Sequence, residues 1–373
     1  MARRGFPVRT ALLALGATVA VPTAGCTGDA DPPASSAPQN SVAEHADRSD
    51  ELLARFPPDE PGCSSAVGIE GEVVWAEVQG VADLSTGRPI ETSTTFAIAS
   101  VSKQFTATVV LLLVHEGLLT LDDPLSTWLP DLPPWSAQIT VGQAMHNVTG
   151  LPDYVDRRLE SGVAWTDPKT VGDSRSEIAA IAELDFPPGN RFQYSNSNYF
   201  LLGEVVRTVT GQSVEDVVRA RIFEPLGLAM DFDPSGWDPD SADPSSARGY
   251  VRNPATGEWE PGGIRWETNG EAGIQTTPSE LVRWADNYRT GEVGGSLLLD
   301  DALPPDDAAP YGAGIFEDDD DSLGHGGAAP GHLTEFFVSA DRTTAIAVAC
   351  NADRAAQSSI RTIGAALKRE WTR

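Results

Sequence analysis

Runs of β-branched and apolar residues lie near both ends of the chain, and this placement constrains the fold more than any other feature. On the N-terminal side they cover 66–69 and 73–81, and on the C-terminal side 333–339 and 343–350. A short turn separates the two runs of each pair, as it does in antiparallel neighbours. Runs so far apart in sequence bury their apolar faces by pairing, so we predict one antiparallel sheet built from both ends.

The segment between these strands has a different pattern. Helical periodicity and Pro-rich loops alternate over about 122–290, and further helices are expected at 50–56 and 358–371. We therefore predict an α+β fold, in which helices flank the antiparallel sheet of N- and C-terminal strands and a mainly helical subdomain is inserted at about 122–290. This domain is expected to occupy 49–373.

The first residues have the pattern of an export signal. Residues 1–26 contain three arginines, an apolar run over 11–21 that is too short to span a bilayer, and small residues before Cys26. The arginine pair resembles a twin-arginine signal and the small residues resemble a lipobox, which predicts a lipoprotein at the outer face of the membrane. The alternative is cleavage at an ordinary signal site and a secreted protein. Residues 27–48 contain almost no large apolar side chain, so we expect a flexible tether.

The balance of charge excludes several partners. The chain has 54 acidic and 26 basic side chains, a formal net charge of −28. Such a surface argues against nucleic-acid binding and repels anionic membranes, which leaves the lipid anchor as the expected membrane contact. The acidic patch at 317–321 lacks EF-hand spacing and is typical of a solvated loop. We predict no metal and no cofactor, a small-molecule or peptide substrate, and a monomer.

The first chemical motif is an S-x-x-K sequence formed by Ser100 and Lys103. It precedes an apolar segment, 105–119, with almost no polar face, which predicts a helix buried on all sides. Residues three apart share a face of a helix, so the Lys103 ammonium lies beside the Ser100 hydroxyl and assists its ionisation. The other two lysines, Lys169 and Lys368, have no serine three positions earlier.

Two further motifs follow. Tyr194 and Asn196 form Y-x-N, and His325 and Gly327 form H-x-G just before the C-terminal strands. Together with S-x-x-K, their order resembles that of the class C β-lactamase family, which includes D-alanyl-D-alanine carboxypeptidases, D-aminopeptidases and related esterases. The resemblance covers about 56–366 and implies the β-lactamase/transpeptidase-like fold.

The resemblance also implies a role for each motif residue. Ser100 is the acylated nucleophile, and Lys103 supports its deprotonation. Asn196 hydrogen-bonds Lys103 and the substrate amide, and Tyr194 shuttles protons. A phenol acts as a base only when its pKa is lowered, and positive charge on Lys103 or on protonated His325 would lower it.

The H-x-G strand is expected to bind substrate. By the same resemblance, the oxyanion hole consists of the backbone N–H groups of Ser100 and Ala328, while Gly326 and Gly327 let the substrate backbone approach closely. His325 stands where class C β-lactamases carry lysine. A histidine near neutral pH offers only a partial positive charge to a substrate carboxylate, which favours a peptidase or esterase over an efficient β-lactamase.

The three cysteines fit an exported protein. If Cys26 takes a lipid, Cys63 and Cys350 remain in an oxidising compartment, either as a disulfide or as two buried thiols. In the family that the chain resembles, the first strand pairs antiparallel with the last strand. This pairing places Cys63 beside Cys350 and implies a bond between them.

These motifs predict a serine acyl-hydrolase that acts through an acyl-enzyme, with D-alanyl-D-alanine carboxypeptidase as the expected specificity. An esterase or weak β-lactamase of the same family is the alternative. A non-catalytic cell-wall-binding lipoprotein is the rival from another class, and the intact motif residues argue against it.

Overall fold

The computed structural model describes residues 37–54, 57–235, 237–240, 243–304, 310–352 and 357–372. The strands of this part are β1 (Cys63–Ile69), β2 (Glu72–Gln79), β3 (Val81–Asp83), β4 (Arg88–Pro89), β5 (Phe96–Ala97), β6 (Asp231–Phe232), β7 (Gly249–Arg252), β8 (Trp259–Gly262), β9 (Ile274–Thr276), β10 (Phe316–Glu317), β11 (Leu323–Ala329), β12 (His332–Val338) and β13 (Thr344–Cys350). Its α-helices are α1 (Ala37–Leu53), α2 (Lys103–His115), α3 (Leu125–Trp128), α4 (Val141–Met145), α5 (Tyr154–Glu160), α6 (Val171–Ala179), α7 (Asn196–Thr210), α8 (Val214–Val218), α9 (Glu224–Leu226), α10 (Pro278–Ala285), α11 (Asn287–Thr290), α12 (Gly295–Ala302) and α13 (Gln357–Trp371).

The main sheet joins the two ends of the chain. Its strand order is β10-β11-β12-β13-β1-β2, and all neighbours are antiparallel. In the central pair, Cys63 of β1 faces Cys350 of β13, and Ile69 faces Thr344. The predicted sheet built from both ends, and with it the α+β fold class, is confirmed.

Both faces of this sheet are covered. Along β13, Ala345 and Ala347 belong to the core shared with the helical segment, whereas Ile346 and Val348 belong to a second cluster with side chains of α1 and α13. Successive strand residues point to opposite faces, so this strand is buried throughout, as its continuous apolar sequence requires.

Helix α2 packs against three other helices, α7, α8 and α12. Its residues are buried from Lys103 to Leu111 and again at Leu113. The helix predicted over 105–119 is thus present, but it ends at His115, and Gly117 turns the chain with a φ of +70°. A helix buried on all sides is a rigid support for the motif at its N-terminus.

The prediction of a flexible tether over 27–48 is wrong from residue 37 onward, because α1 reaches that far toward the N-terminus. Contacts with α13 order this helix. The indole N–H of Trp371 donates to Ser49 Oγ at 2.9 Å, and Arg48 Nε donates to Glu370 at 2.7 Å. A segment with few large apolar residues is therefore held by polar contacts with the other end of the chain and by the packing of Leu53 in the apolar cluster shared with α13.

The sulfur atoms of Cys63 and Cys350 are bonded, as the family resemblance implied. Their Cα atoms are 4.0 Å apart, which is closer than the range of about 4.4 to 6.8 Å usual for disulfides. The two residues are directly opposed across β1 and β13, so the bond connects adjacent strands.

The predicted export signal at 1–26, with Cys26, and the tether up to residue 36 lie outside the described residues. Among the helices of the described part, none is long and apolar enough to cross a membrane.

Candidate active site

Ser100 lies where β5 gives way to α2. Between them, Ala99 has a φ of +47°, a left-handed conformation uncommon for alanine, and a 3₁₀ turn over Ala99–Ser102 leads into the helix. Backbone strain of this kind concentrates at functional sites. The turn presents the half-buried Ser100 at a helix N-terminus, where free N–H groups favour negative charge.

Lys103 is fully buried and connects the motifs. Its Nζ donates to Ser100 Oγ at 3.1 Å, to Asn196 Oδ1 at 2.8 Å and to the main-chain oxygen of Glu271 at 2.7 Å. These bonds use all three protons of an ammonium group. The same Nζ lies 5.1 Å from the centre of the Tyr194 ring. The structure therefore brings together all four residues predicted to be catalytic.

Asn196 is held by Asp153, a residue that the sequence analysis missed. Asp153 Oδ2 accepts from the Asn196 main-chain N–H at 2.9 Å and from its Nδ2 at 2.8 Å. Its Oδ1 accepts from the N–H of Val155 and caps α5. Because the amide nitrogen of Asn196 is engaged, its oxygen faces Lys103. An aspartate directly before a helical pattern is a capping signal that could have identified it.

Glu271 is a second buried carboxylate that the sequence analysis missed. Its Oε1 accepts from the Tyr154 hydroxyl at 2.7 Å, and its Oε2 accepts from the Asn269 N–H at 3.0 Å. Burial raises its pKa, whereas these hydrogen bonds and the charge of Lys103 lower it. The sequence signal was one acidic residue between two glycines, which is too common a pattern to single out.

The pKa of Lys103 lies close to neutral pH. Burial lowers its pKa to about 7, although the carboxylates of Glu271 and Asp153 oppose this effect. Near neutral pH the amine is therefore present in both protonation states and can accept or donate a proton.

Tyr194 differs from the expectation. Burial raises the pKa of Tyr194, and negative charge on Asp153 and Glu271 raises it further. The Ser100 hydroxyl is close enough to lower this pKa, yet no hydrogen bond of normal geometry reaches the buried Tyr194 hydroxyl from the described residues. The prediction of a lowered pKa is therefore wrong, because burial and the two carboxylates raise this pKa by more than the Ser100 hydroxyl lowers it. Tyr194 is a neutral phenol at rest.

His325 is not the expected cation either. Its Nδ1 lies 2.7 Å from the main-chain oxygen of Gly326, and its Nε2 lies 2.9 Å from the Tyr311 hydroxyl. A carbonyl oxygen only accepts, so Nδ1 carries the proton and Nε2 accepts from Tyr311. Burial, helped by the charge of Lys103, lowers the pKa of His325 to about 3. The imidazole is therefore neutral, and the partial positive charge predicted for a substrate carboxylate is missing.

Strand β11 brings the other predicted residues beside the nucleophile. Strand β10 pairs with it only as far as Gly324, so beyond that point one edge of β11 has no partner strand within the described residues. Gly327 packs on the chain just before Ser100, where an added Cβ would lie 2.1 Å from the main-chain oxygen of Ile98. Ala328 follows and lines the same cleft as Ser100.

This cleft has a volume of about 570 Å³. Besides the motif residues, it contains Asp156, Glu335 and Arg361, and the Arg361 guanidinium lies 3.6 Å from Glu335. An adjoining pocket of about 390 Å³ shares two residues with the cleft and is mostly apolar. Its lining consists of Trp165, Val251, Ala328, Ala329, Pro330, Gly331 and Leu333. In the described part of the chain, no group of three or more His, Cys, Asp or Glu side chains is placed to hold a metal ion.

Two curated relatives share one name. D-aminopeptidases from Cereibacter sphaeroides and Brucella anthropi are 30% and 32% identical to this chain over 318 and 305 residues. These alignments cover 82% and 75% of this chain but only 60% and 54% of the relatives. The chain thus spans little more than half the length of the curated relatives that it matches.

Solved structures show the same fold. The penicillin binding protein from Bacillus halodurans has a TM-score of 0.73 at 23% identity, covering 85% of this chain and 98% of that one. The D-amino acid amidase from Ochrobactrum anthropi SV3 has a TM-score of 0.69 at 24% identity, covering 89% and 99%. The sequence model of the Beta-lactamase family matches residues 50–368, a range that includes every motif described above. The chain therefore belongs to the β-lactamase family of serine hydrolases.

Proposed function

We propose that this chain hydrolyses amides through an acyl-enzyme on Ser100. The observation that carries the proposal is the 3.1 Å hydrogen bond between Lys103 Nζ and Ser100 Oγ, in a site where burial lowers the pKa of Lys103 to about 7. A neutral amine accepts the serine proton as Oγ attacks the substrate carbonyl, whereas a lysine with its ordinary pKa would stay protonated. Asn196 keeps the amine within reach of Ser100.

Tyr194 supplies the second proton transfer in this proposal. Its neutral hydroxyl, which makes no hydrogen bond of normal geometry within the described residues, protonates the leaving nitrogen as the C–N bond breaks. Lys103, protonated during the attack, then returns a proton to the phenolate. The amine product leaves and the Ser100 ester remains. Water then attacks the ester carbonyl and gives a proton to Lys103, which returns that proton to Ser100 as the acid is released.

The negative charge that develops on the substrate oxygen needs hydrogen-bond donors. We assign this role to the N–H groups of Ser100, at the start of the helical segment, and of Ala328, on β11. The close packing of Gly327 on Ile98 supports the assignment, because it lets β11 approach the nucleophile. Fixed backbone donors stabilise such charge without reorganisation.

Amides or peptides of D-amino acids with an apolar side chain are the proposed substrates. Relatives named D-aminopeptidase support the D configuration. Asp156 in the cleft suits a substrate ammonium, and neutral His325 offers no charge to a carboxylate. The charge of Arg361 is offset by Glu335. The pocket with Trp165 suits a bulky apolar side chain beside the reacting carbonyl.

A substrate panel on the purified full chain tests this proposal. It compares D- and L-phenylalanine amide, D-alanine amide, a D-alanyl-D-alanine peptide, a nitrophenyl ester and a β-lactam. We expect D-phenylalanine amide to have the highest kcat/KM among the amides and peptides. A higher value for the D-alanyl-D-alanine peptide would instead favour a carboxypeptidase, and turnover of the ester or the β-lactam alone would favour the esterase or lactamase alternative. No turnover of any of them would favour the non-catalytic rival.

The Trp165→Ala variant tests the pocket. Loss of an apolar contact worth about 1 to 3 kcal/mol lowers kcat/KM by about 10- to 200-fold, so D-phenylalanine amide should lose activity while D-alanine amide changes little. Trp128→Ala is the matched control, since this half-buried tryptophan of α3 lines neither the cleft nor the pocket. Equal losses for both amides would contradict the assignment of the pocket.

A further inference from the structure

We infer that Glu271 is a positioning residue for Lys103: its carboxylate fixes the loop whose carbonyl holds the lysine, and it places a buried negative charge beside the lysine. The inference rests on the proposed role of Ser100 and extends it to a residue outside the three motifs.

The loop before β9 folds around this side chain. The main-chain oxygen of Glu271 accepts from Lys103 Nζ at 2.7 Å, while its own Oε2 accepts from the N–H of Asn269 at 3.0 Å. The carboxylate thus closes the loop onto the residue two positions earlier. Gly270 and Gly273 have φ values of +102° and +125°, which other residues rarely adopt. The direction of the Glu271 carbonyl therefore depends on a backbone that the carboxylate holds.

Helices α5 and α7 anchor this loop. The Tyr154 hydroxyl of α5 donates to Glu271 Oε1 at 2.7 Å. The side chain of Asn269 donates to the main-chain oxygen of Phe200 in α7 at 3.0 Å. At Gly203 an added Cβ would lie 2.1 Å from the Asn269 oxygen, so loop and helix are in direct contact. A displacement of the Glu271 side chain would therefore loosen the attachment of this loop to α5 and α7.

The second part of the inference concerns charge. The titratable groups that face Lys103 are Asp153 at the start of α5, Tyr194 before α7, Tyr199 within α7, His325 on β11 and Glu271. Both tyrosines and His325 are neutral, because burial raises the pKa of the phenols and lowers that of the imidazole.

The two carboxylates therefore oppose the desolvation of the lysine, and Glu271 has the larger effect of the two. Both of its oxygens accept hydrogen bonds from N–H or O–H donors, as those of an ionised carboxylate do. Without this charge, the pKa of Lys103 would fall further.

The pH dependence of Ser100 labelling by a fluorophosphonate tests the inference without knowledge of the natural substrate. In the wild-type chain the rate should change with a midpoint near pH 7, set by Lys103. Glu271→Gln removes the negative charge, so the pKa of Lys103 falls and the midpoint should move to lower pH by about 0.5 to 1 unit. The plateau rate should also drop by up to about tenfold, because the loop loosens.

Three further variants separate charge from fold. Glu271→Asp keeps the charge and should keep the midpoint near that of the wild type. Tyr154→Phe removes one donor that stabilises the ionised carboxylate, so it should shift the midpoint in the same direction by a smaller amount. If Glu271→Gln does not fold, Tyr154→Phe replaces it as the test of the charge. The control is Glu280→Gln, which alters a buried carboxylate of α10 that accepts from the N–H of Ala229.

An unchanged midpoint in both Glu271→Gln and Tyr154→Phe would overturn the inference, and so would an equal shift in Glu280→Gln. Labelling that persists in Ser100→Ala would instead overturn the proposed nucleophile. The two failures are thus distinguishable.

Discussion

Burial lowers the pKa of both Lys103 and His325 in this site, but the two side chains start from different ordinary values and face different charges. Two carboxylates oppose the desolvation of Lys103 and hold its pKa at about 7. The charge of Lys103 adds to the desolvation of His325, and the pKa of the imidazole falls to about 3. In the pH range where an isolated histidine titrates, the group that changes charge in this site is the lysine.

His325→Gln tests this assignment at the residue scale. Its side-chain oxygen can still accept from Tyr311, so we expect the acid limb of kcat/KM for amide hydrolysis to stay near pH 7 and the rate to fall by less than about tenfold. The measurement is a pH profile of both proteins between pH 5 and 9. Loss of the acid limb in the variant would show that His325, and not Lys103, sets it.

Residues differ in how far the sequence could identify them. Ser100, Lys103, Tyr194 and Asn196 belong to motifs with fixed spacing and could be predicted. Glu271 could not, because it meets Lys103 across 168 residues and its main-chain oxygen makes the contact. The sequence also could not predict the charge of a motif residue, since this charge depends on which carboxylates the fold places nearby.

At the scale of elements, the site depends on the close approach of β11 to the turn before α2. Gly326 and Gly327 offer a matched pair on this strand. A Cβ at Gly327 would lie 2.1 Å from the oxygen of Ile98, whereas the nearest heavy atom to a Cβ at Gly326 would be the oxygen of Thr334 at 3.8 Å. A methyl group at position 327 therefore forces β11 away from the turn before α2, whereas a methyl group at position 326 fits.

Gly327→Ala should consequently lower kcat/KM by about 100-fold, the typical cost of a displacement near 1 Å in an active site. Gly326→Ala displaces no strand but adds a methyl group in the cleft, so it should lower kcat/KM by less than about tenfold. Amide hydrolysis and fluorophosphonate labelling measure the effect, and thermal unfolding checks that both variants fold. Similar activity in the two variants would mean that this contact does not position the site.

Helix α1 shows why local composition was insufficient to predict secondary structure. Its sequence is polar enough to predict a tether, but Trp371 and Ser49 meet across 322 residues and order it. Long-range contacts of this kind override local preference, whereas the strands of the main sheet were predictable because their apolar runs need cover on both faces.

At the scale of the whole molecule, the bond between Cys63 and Cys350 closes most of the chain into one loop, with a sequence separation of 287. Loops of this length gain up to about 5 kcal/mol from a disulfide by the chain-entropy model. Such a bond persists in an oxidising compartment, which supports the export that we propose from residues 1–26.

We expect dithiothreitol to lower the free energy of unfolding of the chain by several kcal/mol, up to about 5. Urea titrations with and without reductant measure this change. The double variant Cys63→Ala/Cys350→Ala is the control and should not respond to dithiothreitol. An unchanged unfolding midpoint in the reduced wild-type protein would contradict a stabilising role for the bond.

The central claim is that Ser100 carries the acyl group, and intact-mass spectrometry after rapid mixing with an activated ester tests it most directly. The wild-type chain should gain the mass of one acyl group. Ser100→Ala should gain none while it unfolds at nearly the same temperature, since the substitution removes a single half-buried hydroxyl. An adduct of the same mass on folded Ser100→Ala would contradict the account.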